Sequence, residues 1–197
     1  VTVGTPASAY PIVAGKCMEE MPYPLPEHDG KLSAAARESI LEKACGCDAV
    51  LIGPGLGRGA ESDALICDLA AELPQSLVLD ADGINAVSEH IDILARRKGR
   101  ATVLTPHDGE FARLGGNLAA YDRVTAARNF AREHACVLVL KGHRTIVAAP
   151  DGRIAVNTTG NSGMAKGGSG DVLSGMILSM TSLCYLGIGI DPTVANW

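Results

Sequence analysis

The stretch GMAKGGSGDVLSGMI, Gly163 to Ile177, has five glycines in its first thirteen residues and a single acid, Asp171, ahead of an apolar run. Where a glycine segment turns into a helix, the first N–H groups lack intrahelical partners and the helix dipole lies behind them. Such amides form a hole for an anion, including a phosphoryl group in transfer. A carboxylate at that mouth can cap the helix, bind a metal, or take the proton of a hydroxyl that attacks the phosphoryl. Glycines packed this closely before the acid favour the proton acceptor. Capping and metal ligation stay open.

Four other segments place glycine or polar residues directly after short apolar runs. They are GPGLGRG (Gly53–Gly59), DADGIN (Asp80–Asn85), TPHDGEF (Thr105–Phe111) and KGHRT (Lys141–Thr145). In open α/β sheets, ligands gather beyond the carboxyl ends of the strands. GPGLG permits a tight turn and close backbone approach to a ligand, although a plain strand-to-helix turn explains it equally well. It lacks the spacing and later acid of a dinucleotide fingerprint. Lys141, with His143, Arg144 and nearby backbone donors, can hold phosphate or simply form a solvated hairpin entry. His107, Asp108 and Glu110 can face a ligand, or cap a short helix with Pro106 in its first turn. Asp80 and Asp82 straddle a strand end, where Asp82 suits capping as well as catalysis.

The elements that must position these residues alternate. Predicted strands are VTV (Val1–Val3), AVLIG (Ala49–Gly53), LVLD (Leu77–Asp80), ATVLT (Ala101–Thr105) and VLVLK (Val137–Lys141), apolar nearly throughout. That composition fits strands of a parallel sheet covered on both faces. Predicted helices are SAAARESILEKA (Ser33–Ala44), capped by Ser33, then ESDALICDLAAEL (Glu61–Leu73), DRVTAARNFAREHA (Asp122–Ala135), capped by its acid, and one from Asp171 ending near Gly187. Strand–helix alternation predicts an α/β sandwich with right-handed crossovers. RTIVAAP and RIAVN around Asp151-Gly152 predict a β-hairpin, and MPYPLPEHDGK reads as an extended surface segment.

Composition narrows the function classes. The chain has 197 residues, 47% hydrophobic and 20% charged, which fits one globular domain. Aromatics are 4%, so Ala, Val, Leu and Ile must build the core. Net charge is −5 with no basic block, which argues against a nucleic-acid surface. Six scattered cysteines complete no zinc pattern, and most read as small buried hydrophobes in a reducing, cytoplasmic compartment. The uncharged run Val172–Ile190 is interrupted by glycines, serines and a threonine, so a buried helix is expected rather than a membrane span. The chain opens abruptly on VTVGTP and closes on DPTVANW, with no signal peptide in view, so further elements are expected beyond both ends.

With these motifs in order, the chain resembles a ribokinase-fold protein and, within that superfamily, the NAD(P)H-hydrate dehydratases. The matching stretches are GPGLG (Gly53–Gly57), LDADGIN (Leu79–Asn85), LTPHDGEFARL (Leu104–Leu114), VLKGHRTIVA (Val139–Ala148) and, most specifically, NTTGNSGMAKGGSGDVLSGMI (Asn157–Ile177). The resemblance implies a ribokinase-like three-layer α/β sandwich, with a mostly parallel sheet flanked by helices and a β-hairpin near residues 144–157. It covers residues 1–197 as one domain lacking its N-terminal and C-terminal elements. The implied enzyme is a lyase that returns hydrated NADH or NADPH (the S epimer) to the reduced cofactor, driven by hydrolysis of ADP, the preferred nucleotide, or ATP. Mg²⁺ would accompany the phosphates without a dedicated set of protein ligands.

Carried over residue by residue, Asp171 is the base and a substrate contact. Gly55, Gly57, His107, Asp108, Gly109, Glu110, Phe111, Ala112 and Arg113 would meet the hydrated dinucleotide. Lys141, Gly142, His143, Arg144 and Thr145 would line the adenine nucleotide, together with Asn161, Ser162, Gly163, Met164, Ala165, Lys166, Gly167, Gly168, Ser169 and Gly170. The resemblance also implies a homo-oligomer, a tetramer among the forms, and an NAD(P)H-hydrate epimerase fused to or working with the chain. Many members read GNPGM and ATGGTGD where this chain has GNSGM and AKGGSGD, so Ser162 and Lys166 depart from the pattern while the glycines and the acid remain. Two rival readings share the motifs: a kinase for a hydroxymethyl vitamin precursor, and a nucleotide-binding domain with a dead site.

Overall fold

A computed structural model describes residues 1–185. The chain begins with β1 (Thr2–Pro6), a short helix α1 (Tyr10–Ala14) and β2 (Met21–Leu25). β1 and β2 pair in parallel, Val3 opposite Pro22 and Thr5 opposite Pro24. The extended segment MPYPL is therefore a strand, and among the described residues its sheet is separate from the central one, where VTV was expected. β3 (Glu27–His28) and β4 (Lys31–Leu32) form a small hairpin turned by Asp29 and Gly30, both at positive φ.

The Ser33 cap is not formed. A 3₁₀ turn (Ala34–Ala36) leads into α2 (Arg37–Ala44), and the Ser33 side chain makes no capping bond. The Ala34 N–H is instead taken by the Glu61 carboxylate at 2.8 Å, a partner 27 residues away.

The next elements are β5 (Ala49–Ile52), α3 (Ala60–Glu72), β6 (Ser76–Leu79), α4 (Asp82–Val87), a kinked 3₁₀ stretch (Ser88–Arg97) and β7 (Thr102–Leu104). Then follow α5 (Asp108–Arg113), α6 (Arg123–Glu133), β8 (Val137–Leu140), β9 (Ile146–Ala148), β10 (Ile154–Val156) and α7 (Ser169–Tyr185). The central sheet has the order β10-β9-β8-β7-β6-β5. β5 to β8 are parallel, whereas β9 and β10 are antiparallel to their neighbours and form the hairpin predicted around Asp151-Gly152.

Strand periodicity explains why both faces are apolar. Successive side chains point to opposite faces, so Leu77, Leu79, Leu104, Leu138 and Leu140 enter the larger core under helices α3 to α6. Val78, Val103 and Val139 point the other way and pack with Ile177 of α7. Asp122 caps α6 as predicted, its Oδ1 accepting from the N–H groups of Val124 and Thr125 at 3.0 Å.

One long polar side chain sits inside this core. Arg97 is 1% exposed. Its Nε donates to Thr102 Oγ1 (2.9 Å), its Nη1 to the carbonyls of Ala70 and Leu73, and its Nη2 to the carbonyl of Gln75. It thus satisfies carbonyls at and just beyond the carboxyl end of α3, where helix carbonyls lack partners and the dipole favours a cation. Burial first, and then Arg100 nearby, push its pKa down to about 10, so it remains charged at neutral pH.

The cysteines depart from expectation. Cys136 is buried, which pushes its thiol up to about 12, but Cys45 is exposed and Cys17, Cys47 and Cys67 are only partly covered, all as free thiols. Among the described residues no helix is long and apolar enough to cross a membrane. α7 is described to Tyr185, so its predicted end near Gly187 lies outside the described residues.

Candidate functional site

The carboxyl ends of β5 to β8 bring the four polar segments to one edge of the sheet, as predicted. Two glycines let the ends of β5 and β6 touch. A Cβ on Gly53 (φ 143°) would lie 1.7 Å from the Asp80 carbonyl oxygen, and one on Gly83 would lie 2.3 Å from that of Ile52. Gly55 and Gly57, both at φ 72°, turn the following loop. The Gly57 N–H donates to Asp82 Oδ2 at 2.8 Å. Asp82 therefore braces the glycine loop and does not cap α4, whose N-cap position is Ala81.

Ala81 has φ 46° and ψ −115°, a conformation that favours glycine. Ala81→Gly is expected to raise stability by about 1 kcal/mol, since relief of strain outweighs the added freedom of the unfolded chain. Urea unfolding checks this; an unchanged or lower midpoint would show that the conformation is not strained.

TPHDGEF satisfies the capping reading, with His107 as the cap. His107 is the N-cap of α5: its Nδ1 accepts from the N–H groups of Gly109 (3.0 Å) and Glu110 (3.3 Å), and Glu110 Oε2 accepts from the His107 N–H at 2.8 Å. This is a capping box with imidazole as acceptor, which assigns the imidazole proton to Nε2. Pro106 precedes the cap and is not in the first turn. Glu110 is buried, while Asp108, exposed, pairs with Arg123. Phe111 was expected to face the dinucleotide; it is fully buried, edge-on to Phe130 at 5.3 Å between ring centroids, and supports α5 from beneath. Gly109, Ala112 and Arg113 are exposed, with Arg113 Nε donating to Asn85 Oδ1 at 2.9 Å.

Lys141 continues from β8, its N–H bonded to the Pro106 carbonyl at 2.8 Å beside His107. Its Nζ lies 2.8 Å from Asp80 Oδ1 and 3.9 Å from Glu110 Oε2. A Cβ built on Gly170, in the first turn of α7, would stand 3.6 Å from that Nζ. Strand ends and helix start therefore meet at this ammonium. Gly142 (φ 149°) lies against the Arg123 guanidinium, and the exposed His143 and Arg144 complete a turn closed by Thr145 Oγ1 on the Gly142 carbonyl at 3.1 Å.

The loop before α7 is braced by its own side chains. Asn161 Oδ1 accepts from the Gly163 N–H at 2.9 Å, in a 3₁₀ turn over Ser162–Met164. The Ser169 hydroxyl meets the carbonyls of Met164 and Lys166, both at 2.8 Å. Ala165, Lys166, Gly167 and Gly168 are exposed, Gly168 at φ 88°. The helix starts at Ser169, and Val172 N–H donates to the Gly168 carbonyl at 3.1 Å, leaving the amides of Gly170 and Asp171 ahead of that bond.

Asp171 is exposed, three residues into α7. Among the described residues its carboxylate has neither a hydrogen-bond donor nor a cationic partner, so the helix does not use it as a cap. No three His, Cys, Asp or Glu side chains converge among the described residues. An unengaged carboxylate is free to accept a proton or to join the ligands of a metal ion.

Sequence reasoning missed Arg123. It pairs with Asp108 and donates from Nη2 to the Lys141 carbonyl at 3.2 Å, tying α5 and α6 to the end of β8. Its position as the first residue of α6 gives no local signal of this.

The model of the NAD(P)H-hydrate dehydratase family matches residues 1–190. The bifunctional NAD(P)H-hydrate repair enzyme Nnr of Moorella thermoacetica is 42% identical over 199 residues, covering 99% of this chain and 36% of the relative. The chain thus spans about a third of that curated relative's length. The ADP/ATP-dependent NAD(P)H-hydrate dehydratase of Bacillus subtilis, co-crystallised with ATP/Mg²⁺ and soaked with CoA, superposes with a TM-score of 0.66 at 29% identity, covering 92% of this chain and 63% of the other. A ribokinase-like superfamily protein of Enterococcus faecalis superposes with a TM-score of 0.72, covering 98% of this chain and 72% of the other; at 23% identity it speaks to the fold, which is ribokinase-like. By family model and by relatives, this chain belongs to the NAD(P)H-hydrate dehydratase family.

Proposed function

We propose that this chain supplies the catalytic domain of an ADP- or ATP-driven dehydratase that returns hydrated NADH or NADPH to the reduced cofactor. One observation carries the reading: the Lys141 ammonium reaches the first turn of α7, one residue before Asp171, whose carboxylate has no partner among the described residues. The terminal phosphoryl of the nucleotide would sit on the amides of Gly170 and Asp171 with Lys141 balancing its charge. Asp171 would take the proton of the ring hydroxyl as that oxygen attacks phosphorus. The nucleotide leaves one phosphate shorter. Phosphate then departs with the electron pair of the C–O bond, and loss of a proton from the neighbouring ring carbon restores the double bond.

The exposed loop 161–168, the start of α7 at Ser169 and Gly170, and the turn 141–145 would hold the nucleotide. The half-exposed His107 edge, Arg113 and the Gly55–Gly57 turn would face the dinucleotide. Mg²⁺ would be held mainly by phosphate oxygens and water, which needs few ligands from the protein. Bound there, it would spread phosphate charge. The reading extends to a cytoplasmic homo-oligomer acting beside, or fused to, an NAD(P)H-hydrate epimerase. The matched relative is bifunctional and extends well beyond the matched third.

The test supplies hydrated NADH with ADP, then with ATP, to the full-length protein and follows recovery of reduced-nicotinamide absorbance. Recovery that depends on a nucleotide supports the reading. No recovery with either nucleotide, alongside phosphorylation of a hydroxymethyl vitamin precursor, replaces it with the kinase.

A further inference from the structure

Asp80, which follows β6, is held by both its backbone and its side chain. It is 1% exposed. Its N–H donates to the Ile52 carbonyl (3.2 Å), its carbonyl accepts from the Gly83 N–H (2.9 Å), and its Oδ1 accepts from the Ala81 N–H (2.9 Å). The glycine-only contacts at Gly53 and Gly83 close on the same turn, and the strained Ala81 follows it. All of this fixes one carboxylate, and the same Oδ1 accepts from Lys141 Nζ at 2.8 Å.

A largely buried ion pair gives up the hydration of both charges, and apolar residues of similar volume often stabilise a fold as well or better. Stability alone therefore does not account for Asp80. What the pairing does is select one direction for a flexible four-carbon side chain before any ligand arrives. Among the described residues Glu110 is the other acid within 4 Å of the ammonium, at 3.9 Å, and it already accepts from the His107 N–H.

We infer that Asp80 is a positioning residue that acts through Lys141, holding its ammonium at the start of α7 for the phosphoryl group of the nucleotide. The inference rests on the nucleotide site proposed above. Without the Asp80 charge, Glu110 is the one acid left within 4 Å of the ammonium among the described residues, and the ammonium moves away from the place where Asp80 holds it.

A double-mutant cycle on the full-length protein tests this, with ADP and ATP affinity read by calorimetry under conditions where circular dichroism shows every variant folded. Lys141→Ala is expected to weaken nucleotide binding at least tenfold, and Asp80→Asn about tenfold. The double variant should bind no more weakly than Lys141→Ala alone. Losses that multiply, or full affinity in Asp80→Asn, overturn the inference while leaving the nucleotide site in place. Full affinity in Lys141→Ala would overturn both. Asp80→Glu is the second variant for the case that Asp80→Asn does not fold. It keeps the charge at altered reach and should cost less affinity than Lys141→Ala and nothing further in the Lys141→Ala background. An independent loss there would make Asp80 a structural residue only.

Discussion

Asp171→Asn is expected to lower turnover by about 10²–10⁴-fold while leaving nucleotide affinity within about threefold. The change keeps the size and shape of the side chain and removes its ability to accept a proton. Because the carboxylate has no partner among the described residues, the substitution breaks no bond that holds the fold. It also removes a negative charge from beside the proposed phosphoryl position, so any change in affinity should favour binding slightly. Turnover that survives the substitution would show that another group takes the proton. Affinity that falls in step with turnover would make Asp171 part of the binding surface only.

The largest effect on stability is expected from Arg97→Met, at about 3 kcal/mol, or a melting temperature lower by roughly 6–12 °C for a domain of this size. Methionine fills part of the space but donates nothing. The carbonyls of Ala70, Leu73 and Gln75, and the hydroxyl of Thr102, would lose the donors that Arg97 brings to them. Arg100 reaches only the Leu73 carbonyl, at 3.2 Å, and cannot replace the rest. Lysine is a poorer substitute than its charge implies, since one ammonium cannot span four acceptors that a planar fork reaches together. Thermal unfolding of the two variants checks this. A loss under 1 kcal/mol for Arg97→Met would mean that the desolvation of the guanidinium already cancels its hydrogen bonds.

The central strands and the hairpin were legible because they are short apolar runs bounded by turn residues, and each run serves two cores at once. Val78 and Leu79 show how: neighbours in sequence, they face opposite layers. β2 was harder. Prolines at positions 22 and 24 mark it as irregular, yet their alternation leaves the N–H groups of Met21, Tyr23 and Leu25 for a partner on one side, and β1 is that partner. The cap at Ser33 and the role of Asp82 failed for a shared reason. A local motif competes with acceptors and donors that arrive from distant segments, here Glu61 and Gly57.

The site was legible as a set of strand ends but not as a geometry. Residue order placed Lys141 and Asp171 on separate elements, and only folding brings the ammonium to the turn before the acid. Asp80 was noted at its strand end without a role, because its partner lies 61 residues away. Phe111 sits in the right motif with its ring in the core. Arg97 stands between Arg96 and Lys98, and its acceptors come from α3, the segment after it and β7, which no local pattern reveals.

The proposed reaction couples a phosphoryl transfer to a dehydration, and the ratio of products measures that coupling directly. Phosphate released and reduced nicotinamide formed should be counted together as the full-length protein acts on hydrated NADH with ADP or ATP. The expected result is one phosphate for each reduced cofactor, with neither product formed when the nucleotide or the hydrate is left out. Phosphate released without reduced cofactor, or reduced cofactor formed without nucleotide, would contradict it.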